Sequence, residues 1–225
     1  MNAPHSASDA RQVELRMLAR ACDRAGLVTA FGHCSLRLDE ARFLVCASKP
    51  MGLIRLGDAG TIVPLDGPLP EGVLGEVRMH REVYRRRADV NAVVRFISPN
   101  VTALAALGKT PRPRHGFGAY FAPAVPMWTD TELVRNDAAA AAVADLLGDA
   151  PAVIVSVNGA IVGGASAAQA LALGIFLDDA ARIELLALGL ADSNLPVLSQ
   201  AQALARATWE GRVAERLWDY WTSVD

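Results

Sequence analysis

Lysine is almost missing from this chain. It stands only at Lys49 and Lys109, and every other cation among the 22 Lys and Arg is arginine. A Schiff-base mechanism needs a lysine amine, so that chemistry has only two candidates and is disfavoured. Cysteine is scarce too. Cys22, Cys34 and Cys46 are odd in number and lack a metal-like spacing, so they read as buried, reduced thiols in a cytosolic protein. No apolar run reaches the ~18 residues that a membrane span needs. The first eleven residues are polar, without the apolar segment of a signal peptide, and a cytoplasmic location is expected. Charge of one sign is also lacking: the net charge is −2 and the pI about 6.1. That balance argues against a nucleic-acid partner. The single basic run, Arg85-Arg86-Arg87, reads as the solvated C-terminal end of a helix, where cations suit the dipole. There is no internal repeat and no low-complexity linker.

What is present suits one globular domain. The 225 residues are 52% hydrophobic, enough for a large core. Apolar spacing predicts helices at 13–27, 73–87, 100–107, 136–147 and 167–188, with a last helical region from Ser199 to about Trp221 that breaks near Gly211. Short strands are predicted at 35–38, 43–47, 61–64, 91–97 and 125–128. A hairpin is predicted at 152–157 and 160–162 around Asn158-Gly159. The fold class is α/β of the α+β type, a central, mainly antiparallel sheet flanked by helices. The helix at 167–188 is apolar almost all round, so it is expected to be buried on several sides and to serve a subunit interface as well as the core. Residues 1–11, including His5, are expected to be a disordered terminus. The domain is placed at 12–205, with a helical extension over 206–225.

The most informative segment is Val90-Asn91-Ala92-Val93-Val94-Arg95-Phe96-Ile97-Ser98-Pro99. Residues i and i+2 of a strand share a face, so Arg95 and Ile97 are expected to project into the same space. That arrangement commonly presents two histidines to a metal. Here it presents an arginine and an isoleucine.

Several further segments occur in a particular order. They are Gly32-His33-Cys34-Ser35-Leu36-Arg37, Ala47-Ser48-Lys49-Pro50-Met51-Gly52, Gly75-Glu76 followed by His80 and Tyr84, Asp89 to Val94, and Val153 to Gly163. With them the chain resembles the class II aldolase/adducin family over about residues 12 to 205. The His33 form of the first segment, with Arg114-His115-Gly116-Phe117, is most similar to a branch containing 3-hydroxy-2-methylpyridine-4,5-dicarboxylate decarboxylases. The resemblance implies a class II aldolase-like three-layer fold, a homo-oligomer (a tetramer) and carbon–carbon lyase chemistry on a small-molecule carboxylate. It also implies a divalent metal on three histidines. Their places fall on Arg95, Ile97 and Asn158, none of which is histidine, so no metal cofactor is expected. A relocated site on His33, His80 and His115 is a lesser alternative.

These residues yield a candidate site. Arg95 can hold a substrate carboxylate or an enolate where the cation would stand; the alternative is a structural arginine paired with Glu76. Glu76 takes the place of the family's acid/base carboxylate, and the alternative is a surface glutamate. His115, in a flexible loop, is read as a lid residue or a proton donor. His33, Ser35, Ser48, Lys49, Ser98 and Asn158 are read as substrate-binding, with Ser48, Lys49 and Gly52 forming an anion loop. The altered order of that loop favours a small carboxylate over a sugar phosphate. His80 shares a helix face with Glu76 and reads as structural. Trp218, Tyr220 and Trp221 read as an aromatic anchor or as a reach into a neighbouring subunit. The leading function is decarboxylation or retro-aldol cleavage through an enolate-like intermediate, without metal. Related chemistry (dehydration, isomerisation, cyclisation) and a non-catalytic adducin-like scaffold remain as alternatives.

Overall fold

Strand alternation decides which side chains meet. The computed structural model describes residues 8–190 and 195–223. It contains strands β1 (Gly32–Arg37), β2 (Arg42–Val45), β3 (Thr61–Pro64), β4 (Ala92–Phe96), β5 (Met127–Trp128), β6 (Ala152–Val155) and β7 (Gly159–Gly164). They form one sheet in the order β3-β2-β1-β4-β7-β6-β5. Each neighbouring pair is antiparallel except β5 with β6. The helices are α1 (Asp9–Arg24), α2 (Val77–Arg86), α3 (Pro99–Ala106), α4 (Asp137–Leu147), α5 (Ala167–Leu188), α6 (Gln200–Arg206) and α7 (Val213–Thr222). The expected α/β architecture, a mainly antiparallel sheet between helices, is the one observed.

The sheet has a core on each face. Cys34, Leu36, Val94, Phe96 and Val162 join one core with α1, α3 and α5. Phe43, Val45, Val93 and Ile161 join the other, beneath α2 and α4. Fully burying an aromatic such as Phe96 is worth ~2–3 kcal/mol, so the parity of these strands is firmly set. His33, Ser35 and Arg95 share the parity of the α2 face. The register pairs His33 with Arg95 and Ser35 with Val93. Three polar side chains are therefore forced side by side beneath one helix.

That helix starts later than its apolar pattern suggests. Residues 73 and 74 are irregular, 75 and 76 form a turn, and α2 begins at Val77, with Glu76 at its N-cap. Gly72, at φ +80°, and Gly75 hold the approach in turns. Glu76 thus sits at the helix mouth rather than inside it. The C-terminal end of α2 is clamped by Arg37. Its guanidinium donates to the carbonyls of Val90 (2.9 Å), Tyr84 (2.8 Å) and Arg87 (2.8 Å) and lies 4.8 Å from the Tyr84 ring centroid. Arg85, Arg86 and Arg87 are not merely solvated. They pair with Asp66 and Glu82, with Glu82 and Asp145, and with Asp89, respectively.

Helix α5 is central, which explains its apolar circumference. It packs against α1, α3, α7, β4 and β7 of its own chain, so its composition requires no second subunit. Its one buried acid, Glu184, is held by Arg112 (2.7 Å) and Arg114 (2.7 Å). At the other end of the chain, Trp218 and Trp221 pack against the same core, while Tyr220 is exposed. The anchor reading therefore holds for the two tryptophans. Gly211, at φ +71°, lies in the break between α6 and α7. Helix α1 begins at Asp9 and is capped by Ser8, so residues 8–11 are ordered, contrary to expectation. The expectation for His5 lies outside the described residues.

The β6–β7 hairpin loop is the three residues 156–158 rather than the pair Asn158-Gly159, and Gly159 opens β7 paired with Val155. Gly159 has φ +86°, and a Cβ there would lie 1.9 Å from the Phe96 carbonyl oxygen. Gly159→Ala is expected to destabilise the protein by at least about 2 kcal/mol, from left-handed strain and a backbone clash together. Urea denaturation checks this; a change under about 0.5 kcal/mol would show that the hairpin yields freely.

Candidate active site

Two of the three polar residues of the α2 face, His33 and Arg95, line a cleft of about 270 Å³. Its walls include Gly32, His33, Ser48, Lys49, Glu76, Arg95 and Arg135, with Phe31, Pro50 and Leu74 as apolar flanks. Five segments distant in sequence build it: the start of β1, the loop after β2, the mouth of α2, β4 through Arg95 and the loop before α4 through Arg135.

Arg95 is buried, 6% exposed. Its Nη2 donates to Asn158 twice, to Oδ1 at 2.5 Å and to the backbone carbonyl at 3.0 Å. The hairpin loop thus fixes the guanidinium in the cleft wall. Burial lowers the pKa of Arg95 and the nearby Glu76 carboxylate raises it; an arginine stays charged through such shifts. Glu76 does not pair with it directly. Its Oε1 accepts from Arg135 Nε at 3.0 Å. The alternative reading, a structural arginine paired with Glu76, is not what is seen: each side chain has its own partner.

Behind the cleft wall runs a buried chain of hydrogen bonds. His33 Nδ1 meets His80 Nε2 at 2.8 Å, His80 Nδ1 meets Ser35 Oγ at 2.7 Å, and Ser35 Oγ meets Tyr84 Oη at 2.8 Å. Burial, helped by the positive charge of Arg95, pushes the His80 pKa down to about 3. Burial also drives that of His33 well below its ordinary value, with His80 and Arg95 adding to the effect. Both rings are neutral at pH 7. Burial raises the Tyr84 pKa against the opposing bond from Ser35. Ser35 is thus a buried support rather than a cleft residue.

The remaining candidates divide. Ser48 and Lys49 line the cleft, and Lys49 pairs with Asp58 at 2.5 Å. Gly52 does not join them: it abuts the Asp23 carboxylate, a poor neighbour for an anion. Ser98 is fully buried as the N-cap of α3, its Oγ accepting from the Val101 N–H. His115 lies on the α5 side of the sheet, 3.2 Å from Asp179 and beside Phe117, which stacks on Phe176. Neither Ser98 nor His115 lines the cleft. Ile97 follows the end of β4 and is likewise absent from the lining. Phe31 and Arg135 do line it, and sequence reasoning passed over both. Arg135 sits in an unpatterned loop that carries no motif; Phe31, next to Gly32-His33, carried only its position as a signal.

Positions 95, 97 and 158 do not fit a divalent cation. A guanidinium offers donors and a fixed positive charge, an isoleucine has no donor atom, and both oxygens of Asn158 accept from Arg95. Among the described residues no group of three or more His, Cys, Asp or Glu is placed to hold a metal.

Residues 13–185 match the family described as Class II Aldolase and Adducin N-terminal domain. The chain belongs to the class II aldolase/adducin family. Among curated relatives, a 3,4-dihydroxyphthalate decarboxylase of Arthrobacter keyseri is 34% identical over 174 residues, 68% of each chain. A second 3,4-dihydroxyphthalate decarboxylase, from Terrabacter sp. (strain DBF63), is 32% identical over 207 residues, 81% of this chain and 85% of that one. Among solved structures, the L-fuculose-1-phosphate aldolase of Thermus thermophilus aligns with a TM-score of 0.72 at 28% identity, covering 82% of this chain and 99% of that chain. An aldolase II superfamily protein from Pseudomonas syringae aligns at 0.80 with 19% identity over 96% of this chain and 92% of its own. Kinship thus extends to aromatic-carboxylate decarboxylases, whereas the pyridine-dicarboxylate branch rests on the sequence resemblance alone. No helix among the described residues is long and apolar enough to cross a membrane.

Proposed function

We propose that the chain is a carbon–carbon lyase that decarboxylates a hydroxylated aromatic acid without a metal ion. The observation that carries this reading is the Arg95 guanidinium, held by Asn158 in the wall of a cleft that also carries Glu76. The names of the two decarboxylase relatives supply the substrate class. The flanks Phe31, Pro50 and Leu74 suit a flat ring, and Lys49 and Arg135 suit its carboxylates.

The chemistry follows from these groups. Arg95 holds the ring oxygen, ionised to a phenolate, next to the carboxylate that leaves. Glu76 passes a proton taken from solvent to the ring carbon bearing that carboxylate, and the ring becomes a dienone. The C–C bond then breaks and its electron pair returns to the ring. Carbon dioxide leaves, and the phenolate (an aromatic enolate) carries its charge against Arg95. Solvent returns a proton to Glu76. Retro-aldol cleavage of a hydroxy acid ends in the same kind of enolate and uses the same residues.

A scaffold role has less support. It fits a pocket filled by Phe96 and Ile97, but Phe96 lies in the opposite core and the cleft is open. The test is carbon dioxide release from 3,4-dihydroxyphthalate and related hydroxylated aromatic acids, before and after chelation of divalent metals. Release that survives chelation and falls roughly 100-fold or more in Glu76→Gln is expected. Absence of release from any such acid, or a stoichiometric need for zinc or manganese, overturns the reading.

A further inference from the structure

We infer that the buried chain Tyr84–Ser35–His80–His33 fixes His33 as a hydrogen-bond donor, its Nε2–H turned to the cleft to take an acceptor oxygen of the substrate. The inference rests on the proposed function for the identity of that substrate, but not for the state of His33.

Counting protons gives the direction of the chain. Two neutral imidazoles, one serine and one tyrosine bring four donor hydrogens to three contacts, so one hydrogen is left over. Run one way, Tyr84 donates to Ser35, Ser35 to His80 Nδ1, and His80 Nε2–H to His33 Nδ1. The spare hydrogen is then on His33 Nε2. Run the other way, it is on the Tyr84 phenol or, where Tyr84 also donates to Ser35, on the buried Ser35 hydroxyl. Tyr84 is 2% exposed, and among the described residues its hydroxyl meets only Ser35. That direction strands a buried O–H donor in the core and leaves His33 Nε2 unpaired as well. The first direction leaves a single unpaired group, His33 Nε2, which has no partner among the described residues and belongs to a ring that lines the cleft. A buried donor without a partner is costly, so the network settles with its spare hydrogen on the one ring of the chain that lines the cleft, at a nitrogen buried in the cleft wall.

This narrows the substrate. The cleft offers His33, Arg95, Lys49 and Arg135 as donors and one carboxylate, Glu76, which Arg135 already occupies. A ligand that satisfies it presents several acceptor oxygens, as an aromatic dicarboxylate does. Ser35, His80 and Tyr84 are positioning residues that act through His33.

The test is ring-nitrogen NMR of the full chain labelled with 15N-histidine at pH 7. His33 is expected as the pure Nε2–H tautomer. Phthalate, a dicarboxylate without hydroxyl groups, is expected to move its Nε2–H resonance downfield. Tyr84→Phe removes the hydrogen that orients the chain, so His33 is expected to become a mixture of tautomers and phthalate to bind roughly tenfold more weakly. A wild-type His33 carrying its hydrogen on Nδ1 overturns the inference, and so does an unchanged tautomer in a folded Tyr84→Phe. Should that variant not fold, the wild-type tautomer decides alone. An Nε2–H tautomer in a protein that releases no carbon dioxide sinks the proposed reaction and leaves this inference standing.

Discussion

Arg95→Ala is expected to lower decarboxylation roughly 100- to 1000-fold, the range typical of losing a donor aimed at developing negative charge. The loss should fall mainly on kcat, because the guanidinium is matched to charge that peaks as the carboxylate departs. Arg95→Lys keeps the charge but not the planar fork of donors, so an intermediate rate is expected. Added guanidinium should partly restore Arg95→Ala, since the vacated wall still offers the two Asn158 oxygens that held Nη2. The structural cost should be modest, about 1–2 kcal/mol for leaving those oxygens without their donor. Steady-state kinetics with a parallel denaturation curve separates the two effects. Near-wild-type turnover in a folded Arg95→Ala would end the proposal that arginine takes over the charge-stabilising role.

The second large effect is on stability. His33 and His80 are buried and neutral, with pKa values depressed in the fold. In the unfolded chain they titrate near 6.5. Below that pH the unfolded state takes up protons that the folded state refuses, so acid favours unfolding. Their contribution is intact above pH 6.5 and is lost as pH falls from there toward the folded values, which for His80 means down to about 3. Each histidine adds about 1.4 kcal/mol per pH unit, so together they should remove up to about 2.7 kcal/mol per unit below pH 6. The carboxyls with lowered pKa, such as Glu184, enter only at lower pH. There burial opposes ionisation, but Arg114 and Arg112 outweigh it and hold the carboxyl below its usual range. Urea melts at pH 7.5, 6.5 and 5.5 check the slope, and His80→Gln should roughly halve it. A flat profile from pH 7.5 to 5.5 would show that both rings take up protons in the fold as they do in the unfolded chain.

Much of the fold was legible because its signals are local. The helix at 167–188 and the strand at 61–64 stand where periodicity puts them. Errors cluster where tertiary contacts move a boundary. The pattern of Val73 is helical, yet the turns at Gly72 and Gly75 keep residues 73–76 out of the helix, and that shift places Glu76 at the helix mouth. The site was legible in part. Glu76, His33, Arg95, Ser48 and Lys49 meet around one cleft, and Asn158 reaches it by gripping Arg95. Arg135 was not legible, because only folding brings that loop to Glu76. His115 and Ser98 illustrate the opposite failure. Each stands in a suggestive motif, but one faces α5 and the other caps a helix, and no spacing rule says which side of a sheet a loop will join.

The Arg95–Asn158 contact also bears on how such a site changes over generations. The two residues lie 63 positions apart in the chain and are joined by two hydrogen bonds from one nitrogen. A histidine placed at either position alone would break that grip without building a metal site, because Ile97 would still offer no ligand. A change from guanidinium to cation at these positions would therefore pass through forms with neither in place. Arg95 and Asn158 are thus tied to each other: a substitution at either one forfeits the contact and gains nothing in its stead.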